Sequence, residues 1–236
     1  MRGASYKKTL IGLAVTLVGM GMSLPAQAAV KAVATPAKVT AKKTQALAPA
    51  KKADTPKQYD SISDAIMNGH AWLSFRLRNE SVDTDSTKKD AMGTTLRSRI
   101  GFQTGEYHHL SALVEANNAS ILGAQTFYTG DGSHPRKSRY STIADPNATI
   151  IDQAYLNYTG IQHVSLRAGR QFINLDDQRF VGTVGFRQTE QSYDAVSTHL
   201  TFLPHTDIYY AYVWRVNRIW GPQAPSPFDH FTTHSN

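Results

Sequence analysis

The stretch Ala71-Trp72-Leu73-Ser74-Phe75-Arg76-Leu77-Arg78-Asn79-Glu80 carries Ala71, Leu73, Phe75 and Leu77 on one phase and Ser74, Arg76, Arg78 and Glu80 on the other. Side chains of a β-strand repeat with period two, so this segment has one apolar face and one charged face. The pattern recurs. Leu96, Ile100 and Phe102 oppose Arg97, Arg99 and Gln103, and Val164, Leu166 and Ala168 oppose Ser165, Arg167 and Gln171. A sheet edge in lipid leaves backbone groups unpaired, so strands with a lipid-facing side must close into a barrel. The arginines then line its interior.

Seven such segments are expected near residues 70–81, 94–104, 108–118, 152–159, 163–173, 194–203 and 207–217. Each is close to the length that a tilted strand needs to cross a bilayer. The connections alternate between short ones (Gly105-Glu106-Tyr107, Gly160-Ile161-Gln162 and Pro204-His205-Thr206) and long ones (82–93, 119–151 and 174–193). Outer-membrane barrels have short periplasmic turns and long extracellular loops. Aromatic residues gather toward strand ends (Tyr155, Tyr158, Phe202, Tyr209, Tyr210, Tyr212, Trp214), as in interfacial girdles. A soluble sandwich would turn its polar face outward, and no apolar run after the leader approaches the length of a membrane helix. The fold class expected is all-β: an antiparallel transmembrane β-barrel of the outer-membrane type, with about seven strands present.

Ahead of the strands, Arg2, Lys7 and Lys8 precede an apolar run from Leu10 to Leu24 that ends in Pro25-Ala26-Gln27-Ala28. This is the pattern of a secretory signal peptide over 1–28, cleaved after Ala28. Residues 29–58, rich in Ala, Lys and Pro, have too few large apolar residues to offset their ordering entropy and are expected to be a disordered periplasmic linker. The net charge of +7 resides there. Residues 1–58 carry ten Lys or Arg against one Asp, a net +9, and residues 59–236 carry fifteen against seventeen acids, a net −2. A nucleic-acid partner is therefore not expected. The chain has no cysteine, which excludes a disulfide framework and a lipoprotein anchor. A short amphipathic piece, Ser61 to Met67, precedes the first strand, and 59–236 is the barrel domain. Seven is an odd number and the chain stops in what should be an extracellular loop, so the expectation is the N-terminal part of a larger barrel.

The segment Arg167-Ala168-Gly169-Arg170-Gln171-Phe172-Ile173-Asn174-Leu175-Asp176-Asp177-Gln178-Arg179-Phe180-Val181-Gly182, continuing through Gly185-Phe186-Arg187-Gln188-Thr189-Glu190-Gln191-Ser192-Tyr193-Asp194-Ala195-Val196, resembles a stretch of the alginate-export family of outer-membrane barrels. The resemblance implies a large barrel, of which this chain supplies well under half, with an arginine-rich pore for an anionic polysaccharide or small anions. The expected partners are outer-membrane lipid and lipopolysaccharide, such solutes, and the barrel assembly machinery.

From phase alone, Arg76, Arg78, Arg97, Arg99, Glu115, Arg167, Gln171 and Arg215 are pore-lining candidates. Clustered guanidiniums draw carboxylates and phosphates into a lumen and bind them bidentately. The plain alternative is that they pair with Glu80, Glu115 and loop carboxylates as a ladder between strands. Under the first reading, Arg97→Glu with Arg99→Glu reverses ion selectivity. The loop residues Asn174, Asp176, Asp177, Gln178, Arg179, Arg187, Gln188, Glu190, Gln191 and Asp194 are constriction candidates if that loop folds inward. The carboxylates Asp176, Asp177, Glu190 and Asp194 match no dedicated calcium loop, so neither a metal nor another cofactor is expected. His163-x-Ser165 and Ser197-x-His199 each place a base near a hydroxyl, but no orienting acid is evident and no catalytic residue is assigned. The loop 119–151, with Gly130-Asp131-Gly132-Ser133-His134-Pro135, is expected to be exposed and floppy. The functional expectation is a porin-like channel for anionic or hydroxylated solutes. The alternatives are a structural or surface-adhesion barrel with a plugged lumen, and a fragment that cannot close.

Overall fold

The computed structural model describes residues 57–84, 87–132, 134–225 and 229–232. The expected signal peptide and nearly all of the linker lie outside the described residues.

The seven long strands are present: β2 (His70–Val82), β3 (Ala91–Gln103), β5 (Leu110–Thr126), β6 (Ala148–Ile161), β7 (Val164–Gln171), β8 (Ser192–Leu203) and β9 (Thr206–Asn217). Three short strands join them: β1 (Gln58–Tyr59), β4 (Glu106–Tyr107) and β10 (His230–Thr232). They form one ten-stranded sheet in which the long strands pair antiparallel with their sequence neighbours. Its two outer strands, β2 and β10, are not paired with each other, so the sheet is barrel-like but not closed.

The short connections are tight turns whose residues take left-handed backbone angles: His108 and His109 (φ 48° and 63°), His163 (64°) and His205 (57°). The amphipathic piece forms helix α1 (Ile62–Met67). Ser61 caps it by accepting a hydrogen bond from the Asp64 backbone N–H at 3.0 Å. The buried Ala65 and a bond from Gly105 N to Ala65 O at 2.8 Å tie α1 to the end of the sheet that carries the tight turns.

The two faces of the sheet are inverted relative to a soluble protein. Leu73, Phe75, Leu77, Ile100, Val114 and Leu156 stand outward, with Leu73 54% and Ile100 61% exposed. The Arg78, Arg97 and Arg99 side chains point inward and are only 11–12% exposed. Burying charge while exposing a broad apolar face is favourable only where the outside is hydrocarbon.

Two of the three long loops do not stay outside. The expectation of a floppy loop over 119–151 is corrected. β5 runs on to Thr126, and the chain then turns over the inner face, where Phe127 and Ile143 are completely buried against Ala91. Val82 and Ile121 flank this cluster. Gly93 leaves the room: a Cβ there would sit 2.7 Å from the Phe127 ring. Two large apolar side chains in a polar loop had to find a dry surface, and the inner face of β3 supplies it.

Candidate functional site

Register creates the electrostatic problem that this site resolves. Arg76 on β2 lies directly opposite Arg97 on β3, and Ser74 opposite Arg99, so three guanidiniums crowd two neighbouring strands. Like charges in opposed positions destabilise a sheet. The compensating carboxylates come from farther along the chain. Arg99 Nη2 lies 2.8 Å from Asp152 Oδ2 on β6, and Arg99 Nε lies 3.5 Å from Glu115 Oε1 on β5. Glu190 Oε1, from the β7–β8 loop, accepts from Arg97 Nη1 at 2.8 Å and from Arg99 Nη2 at 3.0 Å. Nearer the long-loop end, Glu80 Oε2 accepts from Arg78 at 2.6 Å and from Arg187 at 3.1 Å. Asp145 Oδ2, from the inward-turned β5–β6 loop, lies 3.7 Å from Arg78 and 3.9 Å from Arg187.

Gln188 is the pin of this arrangement and is wholly buried. Its Oε1 accepts from Arg76 Nε at 2.9 Å. Its Nε2 donates to Thr95 Oγ1 at 2.9 Å, to Thr95 O at 3.0 Å and to Arg76 O at 3.2 Å. Its backbone N–H donates to Asp145 Oδ1 at 2.8 Å, and its carbonyl accepts from Asn117 Nδ2 at 3.0 Å. Arg76 also donates to the carbonyls of Gly185 and Arg187, and Arg78 to that of Phe186. A loop that leaves the sheet at β7 and returns at β8 thus binds β2, β3 and β5, well away in strand order. It must cross the concave face to do so. Four guanidiniums (Arg78, Arg97, Arg99, Arg187) meet five carboxylates (Glu80, Glu115, Asp145, Asp152, Glu190), and with Arg76 beside them the cluster is formally neutral.

The remaining candidates separate by place. Arg167 lies inward with its guanidinium 4.3 Å from the Tyr155 ring centroid, and its buried Nε has no hydrogen-bond partner among the described residues. Together with Gln171, Asn174, Ser197, His199 and Tyr209 it lines a cavity of about 600 Å³ between the loop and the turn-bearing end of the sheet. Gln171 is buried and donates to Ala195 O at 3.0 Å. Ser197 donates its hydroxyl to Gln171 Oε1 at 2.7 Å, and Ser165 donates to Asn157 Oδ1 at 3.4 Å, so neither hydroxyl is directed at a base. His199 Nε2 lies 3.6 Å from Asp207.

Asn174 Oδ1 accepts from Thr183 N at 2.9 Å, closing the base of the loop. Asp176, Asp177 and Gln178 form an exposed left-handed turn (φ 49°, 54° and 63°), and Arg179 is exposed beside it. Gln191 donates to Gly182 O at 3.1 Å and to Tyr193 Oη at 2.7 Å. The four acids considered for calcium are thereby dispersed, and no metal-holding group of side chains occurs among the described residues.

Two candidates are corrected. Arg215 does not share the inner face with Arg97, because a bulge lets Ala195 pair with Val213 but Asp194 with Arg215, which makes Trp214 the extra residue. Asp194 pairs across β7 with Arg170 at 2.7 Å, on the outward face, so it is not part of the inward loop. The residues missed in the sequence are Asp145, Asp152, Asn117 and Thr95. Asp152 is fully buried, but the bulge at which it lies breaks the period-two reading, so phase gave no sign of its inward position.

No curated protein and no solved structure matches the chain. The family model described as alginate export matches residues 65–217, which include every strand of the inner cluster and the whole inward loop. The barrel-like sheet, its inverted faces and this match lead to one conclusion: the chain belongs to the alginate export family, a family of outer-membrane proteins.

Proposed function

We propose that the protein is a porin-like outer-membrane channel that passes anionic or hydroxylated solutes, and that the loop 172–191 narrows its lumen. The observation that carries this is the loop's attachment: Gln188 and Glu190 hold it across the arginine-bearing face. A solute moving along that face must pass beside it. Arg78, Arg97 and Arg99 are each engaged by carboxylates. Selectivity in this proposal therefore falls to guanidiniums whose contacts are neutral. Arg76 is bonded to amide and carbonyl oxygens, and Arg167 is stacked on Tyr155 over the open cavity. Arg167, with the exposed Asn174 amide nitrogen on the same cavity wall, offers a carboxylate or a sugar hydroxyl both charge and hydrogen bonds.

The test is a reversal potential in a salt gradient across a planar bilayer holding the purified protein. A potential toward the chloride equilibrium value supports the reading, and one toward the cation value overturns it.

The neutral cluster and the two inward loops favour a second reading, a structural or surface barrel whose lumen is plugged. It differs in one readout. Folded, heat-modifiable protein that inserts but never conducts would select it.

A further inference from the structure

On the outward face, β7, β8 and β9 are apolar through most of their length, with Leu166, Val196, Ile208, Tyr210 and Tyr212 exposed. Toward the end that carries the long loops the outward residues change to Arg170, Asp194 and Arg215, followed by Arg218. β7 stops at Gln171, where the chain turns inward, whereas β6 reaches back to Ala148. The chain after β9 folds across toward that strand, bringing Gly221 against the Ala148 side chain. A rim cleft of about 250 Å³ is left, lined among others by Thr149, Ile151, Arg170, Arg215, Asn217 and Arg218.

Two acids stand at the cleft. Asp194 accepts from Arg170 Nε at 2.7 Å and Nη2 at 3.0 Å, and from Asn217 Nδ2 at 3.1 Å. Asp229 Oδ2 is hydrogen-bonded with the neighbouring His230 ring, and its buried Oδ1 has no hydrogen-bond partner among the described residues. Arg215 has a buried Nε with no hydrogen-bond partner among the described residues. Arg170, Arg215 and Arg218 thus outnumber the two acids at the cleft, Asp194 and Asp229, immediately beyond the apolar belt. Charge on the lipid side is tolerated only at the interface, and there it meets headgroups rather than hydrocarbon.

We propose that this cleft binds the phosphate of an outer-leaflet glycolipid headgroup, with the acyl chains lying along Ile151, Val196 and Trp214. Continuity with the exposed belt identifies the source. Val196 is 46% exposed and Trp214 37%, side by side with the arginines, so the surface suits a ligand carrying phosphate and hydrocarbon together. The long loops mark this rim as extracellular, the leaflet that contains phosphorylated glycolipid.

The test titrates the detergent-folded protein with a diphosphorylated, acylated glucosamine disaccharide, with the same lipid stripped of phosphate, and with inorganic phosphate. Bound lipid is read by native mass spectrometry. The diphosphorylated lipid should bind about tenfold more tightly than the stripped one, the effect of a charge-assisted hydrogen bond. Inorganic phosphate should not compete at matched concentration. Arg215→Gln and Arg218→Gln should each reduce the preference severalfold while the gel shift of the folded barrel is retained. Equal binding of the two lipids, a full preference in both folded variants, or displacement by inorganic phosphate would overturn the site. Conductance plays no part in the readout, so failure here leaves the transport proposal standing.

Discussion

Replacing Gln188 by Leu removes the pin of the inward loop without changing charge. The side chain is wholly buried and makes four hydrogen bonds, to Arg76 Nε, Thr95 Oγ1, Thr95 O and Arg76 O. The two carbonyls lie in paired strands, so the groups left without their partner are the Arg76 Nε–H and the Thr95 hydroxyl. Orphaning a buried charged donor and a hydroxyl costs about 2–4 kcal/mol in total. Leucine is close in volume, so little is lost or gained in packing. At 1.36 kcal/mol per factor of ten, the balance between docked and released loop shifts by roughly 30-fold to 1,000-fold. Single-channel recording in a planar bilayer reads this directly. Gln188→Leu should raise the mean conductance or add long-lived high-conductance openings, with heat-modifiable mobility on gels retained as proof of folding. Folded Gln188→Leu with the parent's conductance and gating would refute the reasoning, because the loop would then either not narrow the path or not be held by Gln188.

Three further outcomes follow from the same geometry. Glu190→Gln deprives Arg97 of its carboxylate and Arg99 of one of three, so the reversal potential should move toward chloride by a readily measured margin; an unchanged potential would contradict the placement of these arginines beside the path. Arg167→Gln should reduce anion preference severalfold in permeability ratio with little change in unfolding midpoint, since that guanidinium has no ion pair among the described residues to lose, and the bilayer and a thermal melt together check it. Phe127→Ala should lower stability by about 3–4 kcal/mol through the cavity it leaves against Ala91 and Ile143, seen as a lower temperature for loss of the gel-shifted form; a shift under about 1 kcal/mol would mean that the β5–β6 loop is not packed inward.

The strands were legible because period two acts on every residue of a barrel wall, one side in lipid and the other not. Arg76, Arg78, Arg97 and Arg99 fall on the inner face as their phase requires, and the tight turns fall between the same strand pairs. Phase fails wherever the ladder slips. The bulges at Asp152 and at Trp214 move Asp152 into the inner cluster and Arg215 out of it, and neither slip has a local sequence mark. The inward course of 127–147 was hidden for a different reason. Its loop composition is polar, and only the pair Phe127 and Ile143 reports a buried surface. Pairing across the site is likewise a property of the tertiary fold. The separation of 93 positions between Arg97 and Glu190 carries no periodicity that links them, so the double substitution of Arg97 and Arg99 by Glu is expected to expel the loop as well as to change selectivity.

The most direct measurement is efflux from liposomes containing the protein, comparing short uronic-acid oligomers with neutral oligomers of the same length. The account predicts faster efflux of the charged oligomers, with the difference diminished in Arg167→Gln. Equal or faster efflux of the neutral oligomers would contradict an arginine-guided path for anions.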